Sequence, residues 1–142
     1  MTRKLRLYLD TSVFSAYYDE RTPERQRLTQ QFWNSLKEYE ALCSQLVLDE
    51  LGRVGDPVLR EKLRELAHGC QVLAIGEAEQ ELARAYVAAG VVSARYIADA
   101  LHIAVAVLGG ADILVSWNFR HLVRAVRGFW SIMSMRSRDY RL

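Results

Sequence analysis

An α/β domain on a mainly parallel sheet of four to five strands is what this sequence predicts, and three observations predict it. Short apolar runs of strand length alternate with longer amphipathic runs of helix length. Capping residues and glycines stand between the two kinds of run. One helical run, residues 96–108, is apolar around nearly its whole circumference, as expected of a helix buried against a covered sheet.

Taken in order, Leu5, Leu7 and Leu9 alternate with Arg6, Tyr8 and Asp10, which predicts a first strand running into the polar turn Asp10, Thr11, Ser12. Residues 13–18 continue as an aromatic-rich turn or short helix. Thr22 and Pro23 then open a helix, as N-cap and first residue, with the stripe Leu28, Phe32, Leu36, Tyr39. Residues 41–43 predict a second strand, and Ser44 caps a helix reaching Gly52. Asp56 and Pro57 start another, with Leu59, Leu63, Leu66 and Ala67 on one face and Gly69 at its end. Residues 71–75 predict a third strand. The helix 77–89 carries Glu77, Glu79 and Glu81 near its positive end and stops at Gly90. Ser93 then caps the apolar helix, in which Ile97, Leu101, Ala104, Val105 and Leu108 recur at steps of three and four. After Gly109 and Gly110, residues 113–115 predict a fourth strand, 119–127 a helix and 132–135 a last, edge strand.

The composition sets bounds. With 142 residues, of which 51% are hydrophobic and 25% charged, the chain fits one domain over 1–142 and excludes extended disorder. No apolar run reaches the ~18 residues that span a bilayer, so no membrane role is expected. The basic start has too short an apolar part for a signal peptide, and a cytoplasmic location is expected. Cys43 and Cys70 have neither metal-site nor redox spacing and are read as reduced, packed thiols. Residues 1–116 carry 13 basic and 16 acidic side chains, whereas 117–142 carry six arginines against the single Asp139. An acidic body with an arginine-rich end suits a polyanionic partner approaching a carboxylate site.

Ligands of open parallel sheets bind beyond the carboxyl ends of the strands. Asp10 stands at such an end after the first strand, and Ser116 to Asn118 at another after the fourth. Helices leaving those strand ends begin at the same edge, which brings Glu50 and Asp99 to it. Asp112, one strand length away at roughly 13 Å, belongs to the opposite edge and is read as a turn residue. Asp99 on an apolar helix demands a partner: Arg95, four residues back, the neighbouring His102, or a bound cation. Several carboxylates at one spot repel one another unless a cation neutralises them. Oxygen ligands without clustered His or Cys select Mg²⁺ or Mn²⁺ over zinc, and such ions serve phosphodiester hydrolysis. The residues therefore point to a metal-dependent nuclease. A haloacid-dehalogenase phosphatase would need a second Asp where Ser12 stands, and no Walker loop or GxGxxG is present.

Four segments, YLDTSVFSAYY at 8–18, SQLVLDEL at 44–51, ADALHIAVA at 98–106 and ADILVSWNFRHL at 111–122, together resemble the PIN-domain ribonucleases, in particular the VapC-like toxins of type II toxin-antitoxin systems. The resemblance covers residues 5 to about 127. It implies a three-layer α/β/α fold, a homodimer, a cognate antitoxin protein, and Mg²⁺- or Mn²⁺-dependent cleavage of RNA leaving a 5′-phosphate. Carried onto this chain, the acids that hold the metal are Asp10, Glu50 rather than Asp49, and Asp99. The family's Thr/Ser-x-Asp segment falls on Ser116, Trp117 and Asn118. Asn118 departs from that pattern, since an amide orients or coordinates through oxygen but brings no charge and no base. One ion is then better supported than two. The segment after Gly128 is also short beside the family's usual tail.

Ser116, Thr11 and Ser12 are supporting candidates, each with strand-end or turn capping as the alternative. Arg120, Arg124 and Arg127 recur at i, i+4 and i+7, which suits phosphate contacts, a plain solvated face or an acidic antitoxin segment. His102 and His121 are read as structural. Phe14, Tyr17, Tyr18, Phe32 and Trp33 are read as core or dimer interface. The alternative to an endoribonuclease is a catalytically weak PIN-like module that binds RNA or protein without cutting, a reading that rests on Asn118.

Overall fold

The computed structural model describes residues 3–118 and the backbone of 131–134. One five-stranded sheet runs through it in the order β3-β2-β1-β4-β5, every neighbouring pair parallel. The strands are β1 (Arg6–Leu9), β2 (Glu40–Ser44), β3 (Gln71–Leu73), β4 (Ile113–Ser116) and β5 (Ser131–Ser134). Helices α1 (Thr11–Ser15), α2 (Pro23–Asn34), α3 (Gln45–Gly52), α4 (Pro57–Ala67), α5 (Glu77–Ala88) and α6 (Ile97–Leu108) connect them. The oldest strand in sequence, β1, lies at the centre, because β2 and β4 take its two edges.

Alternation within each strand divides the core in two. Leu7, Leu9, Cys43, Ile113 and Val115 point to a cluster closed by Val13, Phe14, Phe32, Val47, Leu51 and Leu63 from α1 to α4. Tyr8, Leu42 and Leu114 point the other way, to Ala83 of α5 and Ala100, Ile103, Ala104 and Val105 of α6. The result is three layers, α/β/α, as expected. With both faces covered, the polar-looking phase of β1 is buried too, and Tyr8 is 0% exposed.

Several boundaries differ from the sequence reading. The α2 run ends at Asn34, because Ser35 turns the chain into a 3₁₀ turn at Leu36–Glu38, which still buries Leu36. Ser93 makes no side-chain cap; a 3₁₀ turn at Ala94–Tyr96 comes first and α6 begins at Ile97. The first turn of α6 stands clear of the sheet, leaving Ile97 exposed at one end of the helix and Leu108 exposed at the other. β3 stops at Leu73 and its Val72 is exposed, as befits a sheet edge. Gly109 and Gly110 end α6, and Gly110 takes a positive φ of 77° that other residues rarely adopt. Asp112 accepts the Arg6 backbone N–H at 2.8 Å and both ends of the Arg3 guanidinium at 3.1 Å, a turn role at the far edge as expected. Phe14 and Phe32 are core, and Trp33 meets Phe14 and Tyr17 edge-on. Both cysteines are free thiols. Among the described residues no helix is long and apolar enough to cross a membrane. The helix expected at 119–127, with Arg120, His121, Arg124 and Arg127, lies outside the described residues.

Candidate active site

At the carboxyl end of β1 the chain must turn from strand to helix, and Asp10 makes that turn. It is the N-cap of α1, with its Oδ1 accepting the Ser12 backbone N–H at 3.0 Å, so one of the helix's open donors is satisfied locally. Ser12 Oγ donates to the same oxygen at 2.5 Å. Ser116 Oγ, at the end of the adjacent β4, donates to Oδ2 at 2.7 Å. Only 3% of Asp10 is exposed. Burial pushes its carboxyl above the usual range, against the opposing pull of His102 and the Ser12 and Ser116 hydroxyls.

Glu50 reaches the same region from α3. Its Oε1 accepts from Thr11 Oγ1 at 2.5 Å and from His102 Nε2 at 2.9 Å. Thr11 was a candidate for bonding Asp10 or capping a turn; it serves Glu50 instead. Burial pushes the Glu50 carboxyl up, but the hydrogen bonds from His102 and Thr11 outweigh it and leave the group below its ordinary value. Asp49, next in the chain, is exposed and accepts from Gln45 at 3.0 Å. The helix period thus turns Glu50, and not Asp49, toward Asp10's end of the sheet.

His102 is the residue that sequence reasoning left as structural. Its ring is almost fully buried: Nδ1 lies 2.8 Å from the Tyr8 hydroxyl and Nε2 faces Glu50. Tyr8 in turn lies 2.8 Å from Ser44 Oγ, which caps α3 through the Val47 N–H. A carboxylate at Glu50 takes the proton of Nε2; for a neutral ring the order is then Ser44 to Tyr8, Tyr8 to Nδ1, and Nε2–H to Glu50. A second polar residue in an apolar helix, three positions after Asp99, was the available signal.

Asp99 occupies the first turn of α6, half-buried, one turn before His102. Arg95, its expected partner four residues back, has its guanidinium 5.2 Å over the Tyr96 ring. Asn118 is exposed just beyond β4, and its backbone N–H donates to Ser116 Oγ at 2.8 Å. The four candidates Asp10, Glu50, Ser116 and Asn118 therefore lie along the carboxyl edge of β1, β2 and β4. The expected convergence of three acids is another matter. Among the described residues no three His, Cys, Asp or Glu side chains form a group able to hold a metal ion. Asp10 and Glu50 are each held by their own hydroxyl or imidazole donors. The carboxylate oxygens of Asp10 and Glu50 are hard donors, of a kind whose chemistry fits Mg²⁺ or Mn²⁺.

Comparison with known proteins adds three findings. The family described as the PIN domain matches residues 7–124. No curated protein matches the sequence. Among solved structures, VapBC2 from Rickettsia felis bound to a DNA fragment from their promoter is similar, with a TM-score of 0.65, 13% identity, and coverage of 93% of this chain and 100% of that one. DNA-bound VapBC from Salmonella typhimurium gives a TM-score of 0.64, 16% identity, and 92% and 98% coverage. Mycobacterium tuberculosis VapC20, a sarcin-ricin loop cleaving toxin, gives a TM-score of 0.60, 19% identity, and 76% and 86% coverage. At such identities the likeness is one of fold.

Proposed function

The chain belongs to the PIN-domain family, and from that premise we propose that it is a Mg²⁺- or Mn²⁺-dependent endoribonuclease that hydrolyses RNA phosphodiester bonds, the toxin of a toxin-antitoxin pair. The observation that carries this reading is a buried carboxylate, Asp10, clamped at a strand end by Ser116 from 106 positions away. A carboxylate kept dry and aimed by two hydroxyls is built for a ligand, since burial raises the cost of its charge. Ser12 and Ser116 would orient Asp10, while Thr11 and His102 would orient Glu50. Asn118 would meet the substrate at the rim through its amide. Asp10, Glu50 and Asp99 would hold the ion, which when bound would activate water and offset charge on the phosphodiester. Arg120, Arg124 and Arg127 remain proposed phosphate contacts outside the described residues. An antitoxin partner is supported by fold relatives such as a toxin-antitoxin complex from Klebsiella pneumoniae, with a TM-score of 0.60 at 15% identity. A homodimer and a cytoplasmic location belong to the same reading.

The test is direct. Purified protein should cut RNA with Mg²⁺ or Mn²⁺ and stop on adding EDTA, and Asp99→Asn should abolish cutting. Equal rates for parent and variant would end the assignment of Asp99 to the centre.

A second reading, a PIN-like module that binds RNA or protein without cutting, is favoured by Asn118 and by the lack of a three-acid group among the described residues. Tight divalent binding lost in Asp10→Ala favours the enzyme. RNA binding that is indifferent to EDTA, with no cleavage, favours the module.

A further inference from the structure

We propose that Arg25 and Trp117 form a phosphate-binding subsite for the RNA strand beside the Asp10 centre, taking a phosphodiester that flanks the one to be cut. The inference rests on the nuclease reading and adds a residue from α2 that no family resemblance assigned.

Trp117 follows Ser116 directly, so its place is tied to the centre. Its backbone N–H donates to Ser12 Oγ at 3.0 Å, and Ser12 Oγ donates to Asp10. The indole is fixed at its other end, where Nε1 donates to Thr29 Oγ1 at 3.0 Å, and Thr29 Oγ1 donates to the Arg25 carbonyl at 2.7 Å. Thr29 is fully buried, so this anchor does not drift. Over the ring so held sits the Arg25 guanidinium, 5.0 Å from its centroid. A cation stacked on an aromatic face keeps its N–H groups at its edges, pointing away from the ring and available to an oxyanion.

Among the described residues Arg25 makes no ion pair or side-chain hydrogen bond, and it is exposed on the surface of α2. Asp19 feels the charge of Arg25, but Arg21 already takes both of its oxygens at 2.9 and 3.2 Å. A structural arginine would be expected to close such a bond. Here the guanidinium is oriented by a ring while its donors stay open, one indole ring from the backbone that holds Ser12 and Ser116. That separation places it past the scissile group and against the neighbouring stretch of backbone. The charge is also placed where it is needed: the described body is acidic, and a polyanion approaching Asp10 and Glu50 requires a positive contact close by.

The experiment is fluorescence anisotropy of labelled single-stranded RNA in EDTA, which keeps the strand intact, repeated over a range of salt. Arg25→Met keeps an unbranched side chain of similar length and removes the charge. It should weaken binding roughly tenfold and reduce the slope of log affinity against log salt by about 0.7, the value of one lost phosphate contact on a single strand. Arg25→Lys should restore the slope but less of the affinity, because a point charge replaces the stacked fork. In Mg²⁺, Arg25→Met should raise KM for RNA cleavage more than it lowers kcat. If the parent binds RNA and Arg25→Met binds it with equal affinity and equal slope, this subsite is wrong while the nuclease reading stands. If Arg25→Met weakens only the binding of an acidic peptide and not of RNA, the surface serves a protein partner and the proposal fails. If the parent neither binds nor cuts RNA, both readings fail together.

Discussion

Replacing Tyr8 by Phe deletes one oxygen from the middle of the hydrogen-bonded row Ser44, Tyr8, His102, Glu50. The site is sealed, with Tyr8 at 0% exposure, and the phenol makes two bonds of 2.8 Å. Without it His102 Nδ1 loses its donor and the Ser44 hydroxyl its acceptor. A buried group left unpaired costs ~1–3 kcal/mol. Ser44 escapes part of this because it still accepts the Val47 N–H at 3.4 Å. The sum is about 2–4 kcal/mol, a large share of the ~5–15 kcal/mol that holds a domain folded. With a urea m-value of ~2 kcal/mol/M, the unfolding midpoint should fall by about 1–2 M with no change in slope. Adding Ser44→Ala should cost less on the Tyr8→Phe background than alone, by about 1 kcal/mol, because the bond between them is already gone. Cleavage should fall roughly 10- to 100-fold in the folded variant, since the imidazole that orients Glu50 is no longer held. Nitrogen NMR should find the His102 proton on Nε2 in the parent. A Tyr8→Phe midpoint equal to the parent's, or strictly additive Ser44 and Tyr8 effects, would refute the row as a cooperating unit.

Two other outcomes follow from geometry. Burial holds the Asp10 pKa above its ordinary value, so stability is lost as pH rises through the unfolded value of about 3.8 and upward to the native one. Asp10→Asn cannot ionise, and the Ser116 hydroxyl can turn to accept from its amide. The variant should therefore melt higher than the parent at pH 7, with the gap narrowing toward pH 4, while losing cleavage; a lower melting temperature at pH 7 would contradict the reasoning. At Gly109 an added Cβ would stand 2.5 Å from Leu73 Cδ1 and 2.9 Å from the Val105 carbonyl oxygen. The leucine tip can move but the helix carbonyl cannot, so Gly109→Ala should lower stability by about 1–3 kcal/mol in urea unfolding.

The fold was legible where pattern and chemistry agreed. Leucine alternation in residues 5–9, Pro23 after Thr22, Ser44 before an apolar run and the double glycine at 109–110 each marked an element that the structure contains. The boundaries that slipped are those set by tertiary contacts: Leu36 reads as helix because it is buried, yet it is buried from a 3₁₀ turn. Tyr8 looked like the polar phase of a half-exposed strand because single-sequence periodicity does not report how many faces a sheet has covered. In the site, the strand-end position of Asp10 was readable from the turn that follows it; that Glu50 faces Thr11 and His102 while Asp49 bonds Gln45 came from the structure. The role of His102 was not readable, since its partners Tyr8 and Glu50 lie 94 and 52 positions away and nothing local points to them. Asp99 was singled out as a charge in an apolar helix, but α6 protrudes at its first turn, and that exposure eases the burden the sequence seemed to place on it.

The central place of β1 has a temporal side. Its second edge is filled by β4, and Asp10 meets Ser116 only after 106 further residues exist. At a synthesis rate of ~5–20 residues per second, roughly 5–20 s pass between the making of the first half of the centre and the making of its clasp. Throughout that interval the growing chain carries Asp10 on a strand with a bare flank, unable to assemble what it will become. Until β4 has been made, the pairing of Asp10 with Ser116 does not exist on the growing chain.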